Sequence, residues 1–89
     1  MSTKSGKLGP ATFQATVENI SENGFWIFLG DREVFVPFSD FPWFKEAPVA
    51  QILDVQRPSL GHLYWPALDI DLSLESIEDP SRFPLVSRR

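Results

Sequence analysis

The order of strand-like and helix-like segments along this 89-residue chain predicts an α+β fold with an antiparallel meander sheet. Three segments typical of β-strands come first, joined by short turns, and the segments typical of helices follow them instead of separating them. Eight Phe, three Trp and one Tyr give the chain a large aromatic content for its length. We therefore expect three to five strands, two or three short helices and a core of aromatic rings.

The first two strands are predicted from alternation and from a turn. Phe13, Ala15 and Val17 alternate with polar residues, which is the period of a strand with one buried face, over about residues 12–20. Asn23-Gly24 is a pair that tolerates positive φ in a tight hairpin. The run 25–29 should therefore return antiparallel to the first strand.

The second strand is apolar on both of its faces. Phe25, Ile27 and Leu29 alternate with Trp26 and Phe28, and a turn at 30–33 leads to a third strand at 34–36, where Phe35 can join the second set. We expect an aromatic patch on that face. Its cover is either the C-terminal segment with Phe83 and Leu85, a second copy of the chain, or a partner protein.

Three short helical segments are expected after the meander. Ser39 and Asp40 are N-cap types before a helical turn at 41–45, within a stretch at 36–44 that is dense in aromatic residues and Pro. We assign this stretch to core packing, with a peptide groove or a base-stacking platform as the alternative. The second segment runs from Pro48 to about Leu53, with Val49, Ile52 and Leu53 on one side. The third runs from Leu74 to Glu78, with Ser73 as its cap and Glu75 in its first turn.

Further extended pieces are expected at 55–57 and 62–65, on either side of turn residues 57–61. The domain should span residues 11–86, with a flexible segment at 1–10 and a frayed end at 87–89. The chain has no Cys, which excludes disulfides and thiolate chemistry. No secretory signal or membrane-spanning run is evident, so we expect a cytoplasmic protein.

The charge of the chain restricts which classes of molecule it can bind. The formal net charge is −4 and the basic residues are scattered, which makes direct nucleic-acid binding an unfavourable interpretation. No basic residue lies between Arg57 and Arg82, whereas five acidic residues do: Asp69, Asp71, Glu75, Glu78 and Asp79. This region is either a solvated acidic face or a docking surface for a basic partner.

Residues 62–73 contain the only candidates for a reactive site. His62, the single His, could join Asp69 and Asp71 in a metal or acid/base site, and the two Asp share a face if their segment is extended. The alternative is structural, with Asp69 in a turn after Trp65-Pro66, Asp71 near the start of the next helix and His62 bonded locally. No Ser lies in a nucleophile elbow and no second His can serve as a base, so we expect neither an enzyme nor a cofactor. Trp65, Pro66, Leu68 and Ser73 are predicted to be structural, with Trp65 in the core.

The segments 29–33, 36–39, 41–42 and 65–77 together resemble a small bacterial domain-of-unknown-function family, numbered 2442. The most specific part is the string Tyr64-Trp65-Pro66-Ala67-Leu68-Asp69-Ile70-Asp71-Leu72-Ser73, although many relatives have His where this chain has Tyr64. The resemblance implies a short α+β domain without an established activity. It also implies a gene often found beside that of another small protein, in an arrangement like a toxin–antitoxin pair.

Two functional hypotheses follow. The leading one is a non-enzymatic protein-interaction module that binds a protein partner or forms a homodimer, with binding candidates Trp26, Phe28, Phe35, Asp69, Asp71 and Glu75. The alternative is a small metal-dependent or acid/base enzyme that uses His62, Asp69 and Asp71.

Overall fold

The computed structural model describes residues 13–79. The expectations for the two chain ends, including the fold-back of Phe83 and Leu85, lie outside these residues. The strands are β1 (Thr16–Ser21), β2 (Gly24–Phe28), β3 (Glu33–Pro37), β4 (Gln56–Ser59), β5 (His62–Trp65) and β6 (Ile70–Ser73). The helices are a 3-10 helix (Pro42–Phe44), α1 (Val49–Leu53) and α2 (Leu74–Glu78). The predicted α+β class is confirmed, and the strands form two antiparallel three-stranded meanders, ordered β1-β2-β3 and β4-β5-β6.

The first sheet has the predicted meander with a later start. β1 begins at Thr16 and not at residue 12, because the preceding backbone turns to the other sheet, where the Phe13 amide donates to the Arg57 carbonyl at 2.8 Å. Ser21 pairs with Gly24, so the hairpin turn consists of Glu22 and Asn23. A bulge between Val17 and Asn19 interrupts the register of β1.

Gly24 is required by close packing as well as by its backbone conformation. Its φ is +152°, and a Cβ at this position would overlap the carbonyl oxygen of Val36 and come within 2.8 Å of the Phe35 ring. The positive φ that the Asn-Gly pair predicts therefore falls on the first residue of β2 and not on Asn23. Any larger residue at position 24 would push β3 away from β2.

The sequence predicted a single meander sheet of three to five strands, whereas the described residues form six strands in two sheets. Two features of the second sheet differ from the extended pieces predicted there. The turn predicted at 57–61 is only Leu60-Gly61, because Arg57 to Ser59 belong to β4, an edge strand in which Pro58 can be accommodated. Residues 70–73 form β6, a strand that the sequence did not predict. Its four residues alternate apolar and polar, but the run is too short to be distinguished from the turn before it.

All three predicted helical segments are present, but the predicted caps and the burial of their residues are only partly as expected. The Ser73 hydroxyl accepts a hydrogen bond from the Ser76 amide at 3.1 Å and caps α2 as predicted. Ser39 and Asp40 do not cap the 3-10 helix, whose N-cap is Phe41 without a side-chain bond. In α1 only Ile52 is buried, while Val49 and Leu53 are exposed, because a five-residue helix turns too few residues toward the core. No helix within residues 13–79 is long and apolar enough to cross a membrane.

The core between the sheets is built on three aromatic rings that come from three elements. Trp65 of β5 lies edge-on to Phe44 and Phe25, with ring centroids 4.7 and 6.2 Å away, and Phe25 and Phe44 are 5.1 Å apart. All three side chains are fully buried. The Trp65 indole N–H donates to the Ile52 carbonyl at 3.0 Å, which satisfies its polar atom inside the core.

A buried arginine also connects the two sheets. Arg57 is 6% exposed, and its guanidinium donates to the carbonyls of Leu29 at 3.1 Å and Gln14 at 3.0 Å. Two further bonds, at 3.2 and 3.0 Å, go to the Leu60 carbonyl and hold the hairpin turn of β4 and β5. Arg57 therefore fixes the position of the first sheet relative to the hairpin of β4 and β5.

Candidate functional site

The predicted aromatic patch of Trp26, Phe28 and Phe35 lies on the outer face of the first sheet. Trp26 pairs with Phe35 across β2 and β3, and their ring centroids are 5.1 Å apart at an interplanar angle of 48°. Trp26 is 40% exposed, whereas Phe28 and Phe35 are partly buried. The opposite face of β2 supplies Phe25 and Ile27 to the core. The patch is thus the face of this sheet that the described core does not use.

A second surface lies along the outer side of β6. We call it the acidic groove, and its lining residues are Trp43, Leu68, Asp69, Ile70, Asp71 and Leu72. Trp43 is 48% exposed and leans on the buried Phe41 ring, with a centroid distance of 6.1 Å. Two carboxylates and one indole ring therefore share a groove whose remaining walls are aliphatic.

A turn places Asp69 in this groove. The Leu68 and Asp69 amides donate to the carbonyls of Trp65 and Pro66 at 3.2 and 3.3 Å, and Asp69 has the left-handed φ of 56° that Asp tolerates better than most residues. The segment becomes extended only at Ile70. Asp69 and Asp71 therefore do not share the face of one strand. Asp69 lies in the turn and Asp71 in β6, and both line the acidic groove.

His62 does not line the acidic groove, although the register of β5 and β6 places it on the same sheet face as Asp71. It belongs to the exposed face of the second sheet and lines a depression that also contains Arg32, Arg57 and Glu75. Its Nδ1 is 3.1 Å from the Ser59 hydroxyl. In the described part of the chain, no three His, Asp or Glu side chains are grouped so that they could hold a metal ion.

The acidic region from Asp69 to Asp79 is partly neutralised by a residue distant in sequence. The Glu78 carboxylate accepts a hydrogen bond from Arg32 Nε at 2.8 Å, and Asp31 lies 3.4 Å from another nitrogen of the same guanidinium. The hydrogen bond to Glu78 and then the charge of that carboxylate raise the pKa of Arg32 above its ordinary value. No ion pair of Asp69, Asp71 or Glu75 occurs within residues 13–79.

Sequence reasoning missed Trp43, which it assigned to core packing with its aromatic neighbours. Phe41 and Phe44 are buried at 1% and 0% exposure, whereas Trp43 points outward. A signal was present, because Phe41 and Phe44 are three residues apart and share one side of a 3-10 turn, which leaves Trp43 on the other side. The acidic residues that line the groove with Trp43 lie 26 or more residues further along the chain, and no local pattern predicts that they share a groove.

Comparison with known proteins identifies the family. A family model described as a protein of unknown function (DUF2442) matches residues 15–83. The chain belongs to DUF2442. No curated protein and no solved structure matches it. The DUF2442 match includes both the aromatic patch and the acidic groove, so both surfaces are part of the family domain.

Proposed function

We propose that this DUF2442 domain is a non-enzymatic protein-interaction module that associates with a second copy of itself through the aromatic patch. The observation that carries the proposal is the Trp26–Phe35 ring pair, which lies on the outer face of a sheet whose other face forms the core. Aromatic side chains contribute more than most residues to the binding energy of protein interfaces.

The composition of the patch favours a second copy as its occupant. Asn19 and Phe35 flank Trp26 on the neighbouring strands, so the centre of the patch has no charged side chain, and Glu33 lies at its end opposite Phe28. Two copies with a net charge of −4 each can therefore meet here without opposing like charges at the centre. A two-fold symmetric contact would place each Trp26 against the other copy's patch.

Sedimentation equilibrium over a range of concentrations tests this proposal. We expect a reversible dimer for the parent protein, and a dimer dissociation constant raised at least about tenfold by Trp26→Ser or Phe35→Ser, because each change removes a large apolar contact. Trp43→Ser is the matched control, since Trp43 is similarly exposed, at 48% against 40% for Trp26, but lies in the acidic groove. A strictly monomeric parent, or equal weakening by the control, would contradict the proposal.

Binding of a different protein at the same patch is the other outcome of this test. A neighbouring gene product of the toxin–antitoxin type, as the resemblance implies, would form a heterodimer in place of the homodimer. The patch variants would then weaken the heterodimer, while the domain alone would sediment as a monomer at every concentration.

The enzyme alternative needs His62, Asp69 and Asp71 to act on one substrate or ion. The cross-strand register places His62 opposite Ser73 and Asp71 opposite Tyr64, and Asp69 lies in the turn that precedes β6. Ser59, which is 3.1 Å from the His62 imidazole, pairs with it at the end of β5 that lies opposite to that turn. This arrangement supports an interaction surface better than an acid/base site.

A further inference from the structure

We infer that the acidic groove receives an extended, basic segment of a partner protein, which pairs with the outer edge of β6 as an added strand. The inference rests on the proposed role as an interaction module but uses a surface other than the aromatic patch. It assigns the groove a ligand chemistry, namely a peptide that alternates apolar residues with Lys or Arg.

The backbone of β6 provides the first argument. β6 is the last strand of its sheet, and in the described part of the chain no strand pairs with its outer edge. The Leu74 amide donates to the Gly61 carbonyl at 2.8 Å, and Leu72 and Ile70 follow at two-residue steps in the antiparallel register with β5. Because inward and outward backbone groups alternate in such a pair, the N–H and C=O of Asp71 face outward. An added strand can form hydrogen bonds with both.

The side chains of the groove provide the second argument. Asp69, Asp71 and the exposed Trp43 line the same groove, and none of its lining residues is basic. A Lys or Arg side chain can interact with a carboxylate and with the face of an indole ring at the same time. The aliphatic walls from Leu68, Ile70 and Leu72 fit the apolar residues that alternate with such a side chain in an extended segment.

Charge distinguishes this ligand from other occupants. The two carboxylates repel phosphate groups, which disfavours nucleic acid. A second copy offers few cations from its described residues, since Arg32 is paired with Glu78, Arg57 is buried, and Lys45 alone remains. Among the described residues, a second copy therefore supplies little that suits the groove, and a basic segment of another protein fits it better.

Peptide titration followed by amide NMR tests the inference. The probe is a synthetic eight-residue peptide that alternates Val and Lys, and a Val/Glu peptide of the same length is its control. We expect the Val/Lys peptide to shift the Trp43 indole signal and the amides of residues 69–72, and the Val/Glu peptide to shift neither. N-methylation of alternate peptide amides should abolish binding, because it removes the donors that pair with β6.

Variants separate specific recognition from general charge attraction. The double change Asp69→Asn and Asp71→Asn should raise the dissociation constant of the Val/Lys peptide at least about tenfold, and Asn also tolerates the left-handed backbone of position 69. The control is Glu18→Gln with Glu22→Gln, which changes the net charge equally at exposed positions of the first sheet. Equal effects of the two double variants, or peptide-induced shifts that avoid β6, would overturn the inference.

Failure of this inference differs visibly from failure of the proposed function. The Asp69/Asp71 variant should keep the dimer dissociation constant of the parent, because neither residue belongs to the aromatic patch. A dimer that does not bind the peptide would support self-association and contradict the inference about the groove. A monomer that binds the peptide would contradict self-association and support the inference about the groove.

Discussion

Arg57 holds several segments in place through one side chain. Its planar guanidinium reaches the carbonyls of Gln14, Leu29 and Leu60 at the same time, and it does so from a position that is almost inaccessible to solvent. A lysine ammonium cannot reproduce this geometry, because its three donors diverge from one nitrogen atom. The residue is therefore structural although its side chain is charged.

Arg57→Lys should lower the free energy of unfolding by about 2 to 4 kcal/mol, since one ammonium group cannot serve the buried Leu29 carbonyl together with the part-buried carbonyls of Gln14 and Leu60. Urea denaturation measures the change. Arg32→Lys is the control, because Arg32 and Glu78 form an exposed ion pair, and it should change stability by less than about 1 kcal/mol. Similar losses for the two variants would show that the bonds of Arg57 contribute little.

Some single residues could be placed from the sequence and others could not. Ser73 as a helix cap depends only on neighbours within three positions, and the prediction was correct. Arg57 was predicted to belong to a turn and not to connect the sheets, because its hydrogen-bond partners Gln14 and Leu29 lie 43 and 28 residues away in the sequence. The shared groove of Trp43, Asp69 and Asp71 was missed for the same reason.

At the level of elements, the β2–β3 pairing depends on Gly24. The Val36 carbonyl and the Phe35 ring approach this residue so closely that they occupy the space of a Cβ. The pairing places Trp26 opposite Phe35, so the aromatic patch exists only while the two strands remain in this register. A backbone contact thus determines the geometry of a candidate binding surface.

Gly24→Ala should destabilise the protein by about 2 kcal/mol or more, because the added methyl group meets backbone that cannot rotate away. Gly61→Ala is the matched control, since no atom lies within 4 Å of a Cβ there, and it should change stability by no more than about 0.5 kcal/mol. Thermal or urea unfolding of both variants provides the comparison. If Gly24→Ala changed stability as little as Gly61→Ala, β3 would be able to shift without loss of stability.

Element type was predictable wherever the pattern was long or the turn chemistry was strong. The three strands of the first sheet and all three helical segments were predicted correctly, since they show alternation, capping residues or Pro at the start. β6 was missed because Ile70–Ser73 is too short for alternation to identify, and its pairing with β5 is a tertiary contact. Helical spacing placed Val49, Ile52 and Leu53 on one side of α1 but did not show that only Ile52 is buried, because burial depends on what the helix packs against.

For the molecule as a whole, the two sheets share one core. Phe25 of the first sheet meets Trp65 of the second, and Phe44 packs between the elements that carry them. Neither three-stranded sheet could bury its apolar face alone, because each uses the other as its cover. The family match over residues 15–83 also treats both sheets as one unit.

We therefore expect a single cooperative unfolding transition. Amide NMR signals from the first and the second sheet should disappear at the same urea concentration, and that midpoint should agree with far-ultraviolet circular dichroism. Two separated midpoints would contradict the shared core and would show that one sheet survives without the other. Low protein concentration keeps self-association from shifting the result.

The three indole rings lie in three distinct environments: Trp65 is fully enclosed, Trp26 is 40% exposed on the outer face of the first sheet, and Trp43 is 48% exposed beside β6. Replacing any two with Phe leaves one fluorophore that reports on a single location. Acrylamide should quench emission from Trp43, and from Trp26 at concentrations where the proposed dimer is dissociated, but not from Trp65. The chain thus carries its own optical labels for the interior and for each of the two surfaces, without attachment of a dye.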